Sequence, residues 1–155
     1  MNVVDSCGWL EYIANEGNAP FFKPAILDLE RLIVPTICLY EVYKRMAVQR
    51  GQEAALQSVG VLYRGIVVDI TSELALEAAN LSIEYKLPMA DSLILATARA
   101  HDATLWTQDE HFKDIEGVQY IEKKTNVINS LLQLFVSMFK IFDFRSYSSN
   151  RYTER

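Results

Sequence analysis

The sequence predicts an α/β domain built on a mostly parallel sheet. Short apolar runs alternate along the chain with longer segments whose apolar residues recur at helical spacing. This alternation is typical of strands joined by helical crossovers, which return each strand to the same direction as the one before. Half of the 155 residues are hydrophobic, enough for one domain with a substantial core.

Five strands are predicted, each an apolar run bounded by turn or charged residues. They are "NVV", "LIVP", "IVVDI", "ATLW" and "VQYI", at residues 2–4, 32–35, 66–70, 103–106 and 118–121. Gly65 directly precedes the third of these runs and punctuates the middle of the chain.

Six helices are predicted between the strands, at residues 8–15, 23–31, 37–49, 52–63, 72–85 and 91–101. Gly51 separates the third helix from the fourth, and Pro88 separates the fifth from the sixth. Thr71 and Ser72 stand just before Glu73, which is a typical helix start. These elements place one domain at residues 1–124.

Residues 125–155 form a separate extension. An amphipathic helix is predicted over residues 126–142, with an apolar stripe opposite a polar face, followed by a polar tail. The run is too short and too polar on one side to cross a membrane. Three roles stay open for it: covering the domain's own core, contacting a partner subunit, or lying on a membrane surface.

The overall composition excludes some classes of protein. The net charge of −5 argues against a surface built mainly to coat nucleic acid, although acids that hold metal ions still attract phosphate. Two cysteines are too few for a disulfide scaffold and suit the reducing cytoplasm, and no signal peptide is expected because Asp5 interrupts the first apolar stretch. Neither a Gly-rich phosphate loop nor a G-x-S-x-G elbow occurs.

Four acids are candidates for one site. Asp5 directly follows the first strand, Asp109 comes just after "TLWT", and Glu41 lies about one turn inside the helix after "IVPT". Ligand sites in parallel sheets form at the carboxyl ends of the strands, so these three are expected to converge. Asp91 opens a helix so apolar ("SLILATA") that its carboxylate needs a partner, and it plausibly joins them.

Each acid taken alone could be a helix cap or a solvated helix position. Crowded together, the four carboxylates would raise one another's pKa or attract a cation. A hard divalent ion such as Mg²⁺ meets this need with oxygen ligands, and can activate water and polarise a phosphodiester. Zinc is a poor candidate, because the only histidines, His101 and His111, lack the pair spacing of a zinc site.

Four stretches resemble the successive blocks of the PIN domain family, and in particular its small toxin nucleases of the VapC type. They are "VVDSCGWLEYI", "VPTICLYEVYKRM", "LPMADSLILATARAHDATLWTQDEHF" and "IEGVQYI", which together run from residue 2 to residue 121. The resemblance implies a three-layer PIN-like fold and a ribonuclease that depends on Mg²⁺ or Mn²⁺. It also implies an RNA substrate, a cognate antitoxin and a homodimer in the cytoplasm, with no membrane partner.

Carried over residue by residue, the catalytic acids of the family fall on Asp5, Glu41, Asp91 and Asp109. Of these, Asp5, Asp91 and Asp109 would bind the metal, while Ser6 and Thr107 would support the acids and Cys7 would only pack. Lys44, Arg45 and Arg99 are candidates to contact the RNA backbone, or are simply solvated. Two features depart from the family pattern: Asp102 stands where Gly is common, and the chain continues into the 125–155 extension.

Two other functions stay open. One is a PIN-type nuclease that processes RNA or cleaves DNA ends without an antitoxin. The other is a non-enzymatic phosphoacceptor domain like a response-regulator receiver, for which Lys123 and Lys124 lie near the fifth strand but Asp5 lacks an adjacent acid.

Overall fold

The computed structural model describes residues 1–124, so the predicted helix at 126–142 and the polar tail lie outside the described residues. The α/β fold class is confirmed: within residues 1–124, five parallel strands form one sheet, and six α-helices connect and flank them. The strands are β1 (Asn2–Val4), β2 (Leu32–Pro35), β3 (Ile66–Val68), β4 (Thr104–Thr107) and β5 (Val118–Tyr120). The helices are α1 (Ser6–Ala14), α2 (Ala19–Leu27), α3 (Thr36–Arg50), α4 (Gln52–Leu62), α5 (Ser72–Tyr85) and α6 (Met89–Ala100).

The strand order is β3-β2-β1-β4-β5, which places β1 at the centre of the sheet. Val3 pairs with Ile33 on one side and with Leu105 on the other, both in parallel register. All strands therefore end at one edge, and the turns after β1, β2 and β4 lie there side by side. This order differs from the 2-1-3-4-5 order of receiver domains, so the phosphoacceptor alternative loses its structural basis.

Within residues 1–124, α5 alone matches its predicted bounds; α1, α3 and α4 differ by one or two residues at their ends, and the shifts of α2 and α6 have identifiable causes or consequences. α2 begins at Ala19 instead of residue 23, because Pro20 falls in its first turn, where a missing backbone N–H costs nothing. It ends at Leu27, and residues Leu29–Arg31 form a separate 3-10 turn. α6 begins at Met89 after Pro88, so Asp91 lies inside the first turn of this helix and does not cap it.

Gly8 lets α1 approach the sheet and α2 closely. A Cβ atom at this position would lie 2.6 Å from Cε1 of Phe22 and 2.8 Å from Cγ1 of Val4. Phe22 and Val4 are both fully buried, so the first turn of α1, which carries Ser6 and Cys7, is held firmly against the central strand. Within residues 1–124, no helix is both long and apolar enough to span a bilayer.

Candidate active site

Asp5 lies where β1 ends and α1 begins, and its side chain is buried. It occupies the N-cap position of α1, yet its carboxylate makes no capping hydrogen bond. Instead, Oδ1 accepts a hydrogen bond from the Ser6 hydroxyl at 3.2 Å. Oδ2 accepts one from the Cys7 thiol at 2.9 Å and another from the Thr107 hydroxyl at 2.8 Å. The carboxylate is therefore fixed by side chains from both neighbouring elements and is not used to start the helix.

Thr107 links the ends of β1 and β4. Its hydroxyl donates to Oδ2 of Asp5 and accepts a hydrogen bond from the backbone N–H of Asp109 at 2.9 Å. The Thr107 side chain is fully buried, so water does not compete for either bond. Thr107, which the sequence predicts to support the acids, therefore bonds to both Asp5 and Asp109.

Asp91, Asp109 and His111 meet at the rim of the same site. Nδ1 of His111 lies 3.0 Å from Oδ1 of Asp109 and 3.3 Å from Oδ2 of Asp91. Asp109 also caps the 3-10 turn Glu110–Phe112, because its Oδ1 accepts the backbone N–H of His111 at 2.9 Å. The side chain of Asp91 is 15% exposed and that of His111 is 52% exposed, so the cluster opens to solvent on the histidine side.

Glu41 contributes a carboxylate from α3, near Ser6. Its Oε2 atom is buried and has no hydrogen-bond partner among the described residues. Burial raises the pKa of Glu41, the polar side chain of Ser6 close by opposes that rise, and the charge of Asp5 adds to it. Burying a carboxylate oxygen without a hydrogen-bond donor costs free energy. Oε2 of Glu41 is therefore available to accept a hydrogen bond or to bind a ligand.

The four acids form one electrostatic group. Burial raises the pKa of Asp5, and the charge of Asp109 raises it further, while hydrogen bonds from Cys7 and Thr107 oppose both. Burial together with the charges of Asp5 and Asp109 raises the pKa of Asp91 to about 6, against the opposing effect of His111. The charges of Asp5, Glu41, Asp91 and Asp109 thus act on one another, but among the described residues the group of close ligand atoms contains Asp91 and Asp109 and not Asp5 or Glu41.

This donor set fits a divalent cation. Asp91, Asp109 and His111 each offer one ligand atom, and the three atoms lie within 4.8 Å of one another. Octahedral ligands at about 2.1 Å from an ion stand about 3.0 Å apart, close to the 3.0 and 3.3 Å that separate the histidine nitrogen from the two carboxylates. The excess of negative charge and the Glu41 oxygen without a partner among the described residues also favour a bound cation.

Two roles differ from those expected from sequence. His111 is not among the predicted ligands, because no second histidine stands at zinc spacing, yet the 3-10 turn that Asp109 caps brings it onto two carboxylates. The Asp-x-His spacing at the end of a strand is the signal that could have found it. Cys7, predicted as a packing residue, also makes a hydrogen bond: burial and the nearby Asp5 charge raise the pKa of its thiol, which therefore keeps its proton and donates a hydrogen bond to Asp5.

A groove of about 670 Å³ adjoins the acids between α1 and α3. Lys44 and Arg45, two of the candidate backbone contacts, line it together with Glu41. Arg99 lies elsewhere, in a separate cavity between α5 and α6, where its guanidinium group donates to the Tyr85 hydroxyl at 3.1 Å and stacks over that ring.

The sequence of this chain matches a known family of domains. The sequence model of the PIN domain matches residues 3–118 of this chain, a stretch that includes every candidate acid. The chain belongs to the PIN domain family. Comparison with curated proteins gives no match.

Several solved structures with a similar fold are described as toxins or toxin–antitoxin complexes. A chain of a toxin–antitoxin complex from Klebsiella pneumoniae is 22% identical, with a TM-score of 0.67, over 79% of this chain and all of that one. A chain of DNA-bound VapBC from Salmonella typhimurium is 20% identical, with a TM-score of 0.62, over 79% of this chain and 98% of that one. A VapC toxin of Mycobacterium tuberculosis that cleaves the sarcin-ricin loop is 15% identical, with a TM-score of 0.57, over 67% of this chain and 85% of that one.

Proposed function

We propose that this PIN domain is a metal-dependent endoribonuclease and the toxin of a toxin–antitoxin pair. The observation that carries the proposal is the group of ligand atoms from Asp91, Asp109 and His111, together with the burial and mutual charge effects that raise the pKa values of Asp5, Glu41 and Asp91. A group of acids held in this state is suited to bind a cation, and family membership supports phosphodiester hydrolysis as the use of that cation.

The metal would be Mg²⁺ or Mn²⁺, held by Asp5, Asp91 and Asp109. His111 is an additional ligand, and Glu41 completes the site. When bound, such an ion lowers the pKa of water and stabilises negative charge that develops on phosphate oxygens.

The remaining side chains position these groups. Thr107 and Cys7 both donate to Oδ2 of Asp5, which leaves Oδ1, bonded only to Ser6 among the described residues, as its ligand atom. Oε2 of Glu41, which lacks a donor within residues 1–124, is available to accept a hydrogen bond from water or substrate. Each group is thus oriented before substrate binds, as catalysis by positioned charge requires.

RNA would run along the groove between α1 and α3. Lys44 and Arg45 line this groove beside Glu41, and their positive charges suit phosphates on either side of the one that is cleaved. Because Arg99 lies in a different cavity, it has no part in this proposed path.

The partner proposed for the toxin is a cognate antitoxin. Three of the similar structures are described as toxin–antitoxin complexes, from Klebsiella pneumoniae, Salmonella typhimurium and Rickettsia felis, and two of these also contain DNA. A small open reading frame for an antitoxin beside the gene would support this reading, and its absence would favour an RNA-processing or DNA-end nuclease without an antitoxin. A homodimer is tested separately by light scattering on the full chain and on a chain truncated after Lys124.

The decisive experiment is cleavage of RNA by the purified protein. Cleavage should require Mg²⁺ or Mn²⁺ and stop on addition of EDTA. Asp5→Asn and Asp91→Asn should each abolish it while the circular dichroism spectrum and Tm stay native. Asp114→Asn is the matched control: Asp114 is exposed with φ 69°, a conformation that asparagine also tolerates, and activity should be unchanged. Full activity of both site variants, or activity in EDTA, would overturn the proposal.

A further inference from the structure

Glu11 is a buried acid outside the candidate metal site. It lies on α1 and is only 8% exposed, yet both of its carboxylate oxygens are satisfied. Oε1 accepts the backbone N–H of Asn18 at 2.8 Å, and Oε2 accepts Nε2 of Gln108 at 3.1 Å. A carboxylate buried in this way needs such donors, and it can only accept.

The charge of Glu11 fixes the orientation of two amides in turn. Because Glu11 only accepts, Gln108 must turn its NH₂ group towards it, and its Oε1 then faces Asn18. Nδ2 of Asn18 donates to that oxygen at 2.9 Å and to the backbone carbonyl of Glu122 at 3.0 Å. Oδ1 of Asn18 is left buried without a partner in the described part of the chain. The network therefore holds the Asn18 amide in an orientation that leaves its oxygen without a donor.

Gln108 is the residue between Thr107 and Asp109. Successive residues at a strand end point to opposite sides, so anchoring Gln108 on the α1 side constrains the backbone that carries its neighbours. On the other side, Thr107 bonds to Asp5 at 2.8 Å and to the backbone N–H of Asp109 at 2.9 Å. The segment is thus held from both sides, by the Glu11 carboxylate and by the Asp5 carboxylate.

We propose that Glu11 is a positioning residue that acts through Gln108 to place Asp109 in the metal site. The inference rests on the proposed metal-dependent nuclease function. Glu11 and Gln108 also line the groove proposed for RNA, but in this role Glu11 acts on the metal site and not as a ligand of the ion. It sets the amide orientation of Gln108, and thereby the backbone from which Asp109 and Thr107 reach the site.

The network can be tested by moving the negative charge from position 11 to position 108 while keeping the hydrogen bonds. In Glu11→Gln, an NH₂ group faces the NH₂ group of Gln108, and turning Gln108 over only transfers the clash to Asn18. In Gln108→Glu, two carboxylates face each other in a buried place. In the double variant E11Q/Q108E, the new amide on α1 donates to the new carboxylate after β4, and its oxygen still accepts the backbone N–H of Asn18. The side chain of Asn18 donates to the same new carboxylate, so every bond is restored.

The readouts are Mn²⁺ affinity by calorimetry, RNA cleavage rate and Tm. Each single variant should weaken Mn²⁺ binding and cleavage on the order of tenfold, as changes to the partners of metal ligands do, and the double variant should recover to within about threefold of the native chain. Glu84→Gln, at an exposed position on α5, is the control and should change nothing. If a single variant does not fold, Gln108→Ala, which removes the anchor without a charge clash, should show the same loss.

The possible outcomes distinguish failure of the positioning role from failure of the proposed nuclease function. A native chain that neither binds Mn²⁺ nor cleaves RNA would overturn both. If the single variants have a lowered Tm but native Mn²⁺ affinity and cleavage rate, the nuclease function is retained and the positioning role is wrong. Glu11 then has a structural role only. A folded double variant that stays as weak as the single variants would also overturn the positioning role.

Discussion

The hydroxyl of Thr107 donates a hydrogen bond to Oδ2 of Asp5 at 2.8 Å, joining residues that lie 102 positions apart in the chain. This bond connects the ends of β1 and β4, the two central strands that bring acids to the site. It also opposes the rise that burial causes in the pKa of Asp5, because a donor stabilises the charged carboxylate.

Thr107→Val should therefore weaken the metal site while keeping the side-chain shape. Loss of the donor raises the pKa of Asp5 further, so protons compete better with the ion, and we expect Mn²⁺ affinity at pH 7 to fall about tenfold. Unfolding free energy in urea should fall by about 1–3 kcal/mol, since Asp5 and the Asp109 amide each lose a buried partner. Thr107→Ser keeps the hydroxyl and should restore affinity; equal affinities for Val and Ser would contradict the argument.

The raised pKa of Asp91, about 6, predicts how stability varies with pH in the absence of metal. The folded state holds this proton more tightly than the unfolded state, in which an aspartate has a pKa near 3.9. The stabilisation is complete below about pH 4 and is lost as pH rises through about 6. Urea unfolding in EDTA between pH 4 and 7 should show this decline, and Asp91→Asn should flatten it; identical slopes for the two proteins would exclude the assignment.

His111 should influence which metal the site prefers. Imidazole nitrogen favours Mn²⁺ and later transition ions more than it favours Mg²⁺. His111→Ala is expected to lower Mn²⁺ affinity about tenfold and Mg²⁺ affinity much less, as measured by calorimetry. His101→Ala is the matched control, since His101 follows α6 and lines the separate cavity. An equal loss for both ions would show that the imidazole does not discriminate between them.

Two glycines in helices should respond in opposite ways to alanine. Gly8→Ala places a methyl group 2.6 Å from the buried Phe22 ring, and should destabilise the domain by about 1–3 kcal/mol. Gly60→Ala on α4 has open space around it, and should stabilise the domain by about 0.5–1 kcal/mol through the lower helix propensity of glycine. Urea unfolding of both variants, with the native chain beside them, measures the difference; a neutral Gly8→Ala would refute the close approach of α1.

The sheet was predictable because its strands are continuous apolar runs between turn residues. β1 and β2 match their predicted bounds, and the order of the elements follows from the alternation of strands and helices. The start of α2 was not predictable from apolar spacing, because two prolines lie in it and only the fold shows which N–H groups are dispensable.

Within the site, the positions of Asp5, Glu41 and Asp109 follow from strand ends, since parallel strands finish at one edge. The approach of His111 was missed because it depends on the 3-10 turn that Asp109 caps, for which the Asp-x-His spacing is the only local signal. The contact between Glu11 and Gln108 joins residues 97 positions apart and requires the packing of α1 against β4, which no local pattern encodes.

The strand order also governs when the site comes into existence during synthesis. β1 is made first, yet its neighbour β4 is among the last elements, so the centre of the sheet closes only after Thr107 has been translated. Contacts this distant in sequence form late in folding. A nascent chain that has made Asp5 and Glu41 but not Asp109 carries only part of the acidic cluster, so a ribosome engaged in making this protein carries no assembled site until nearly the whole domain has been translated.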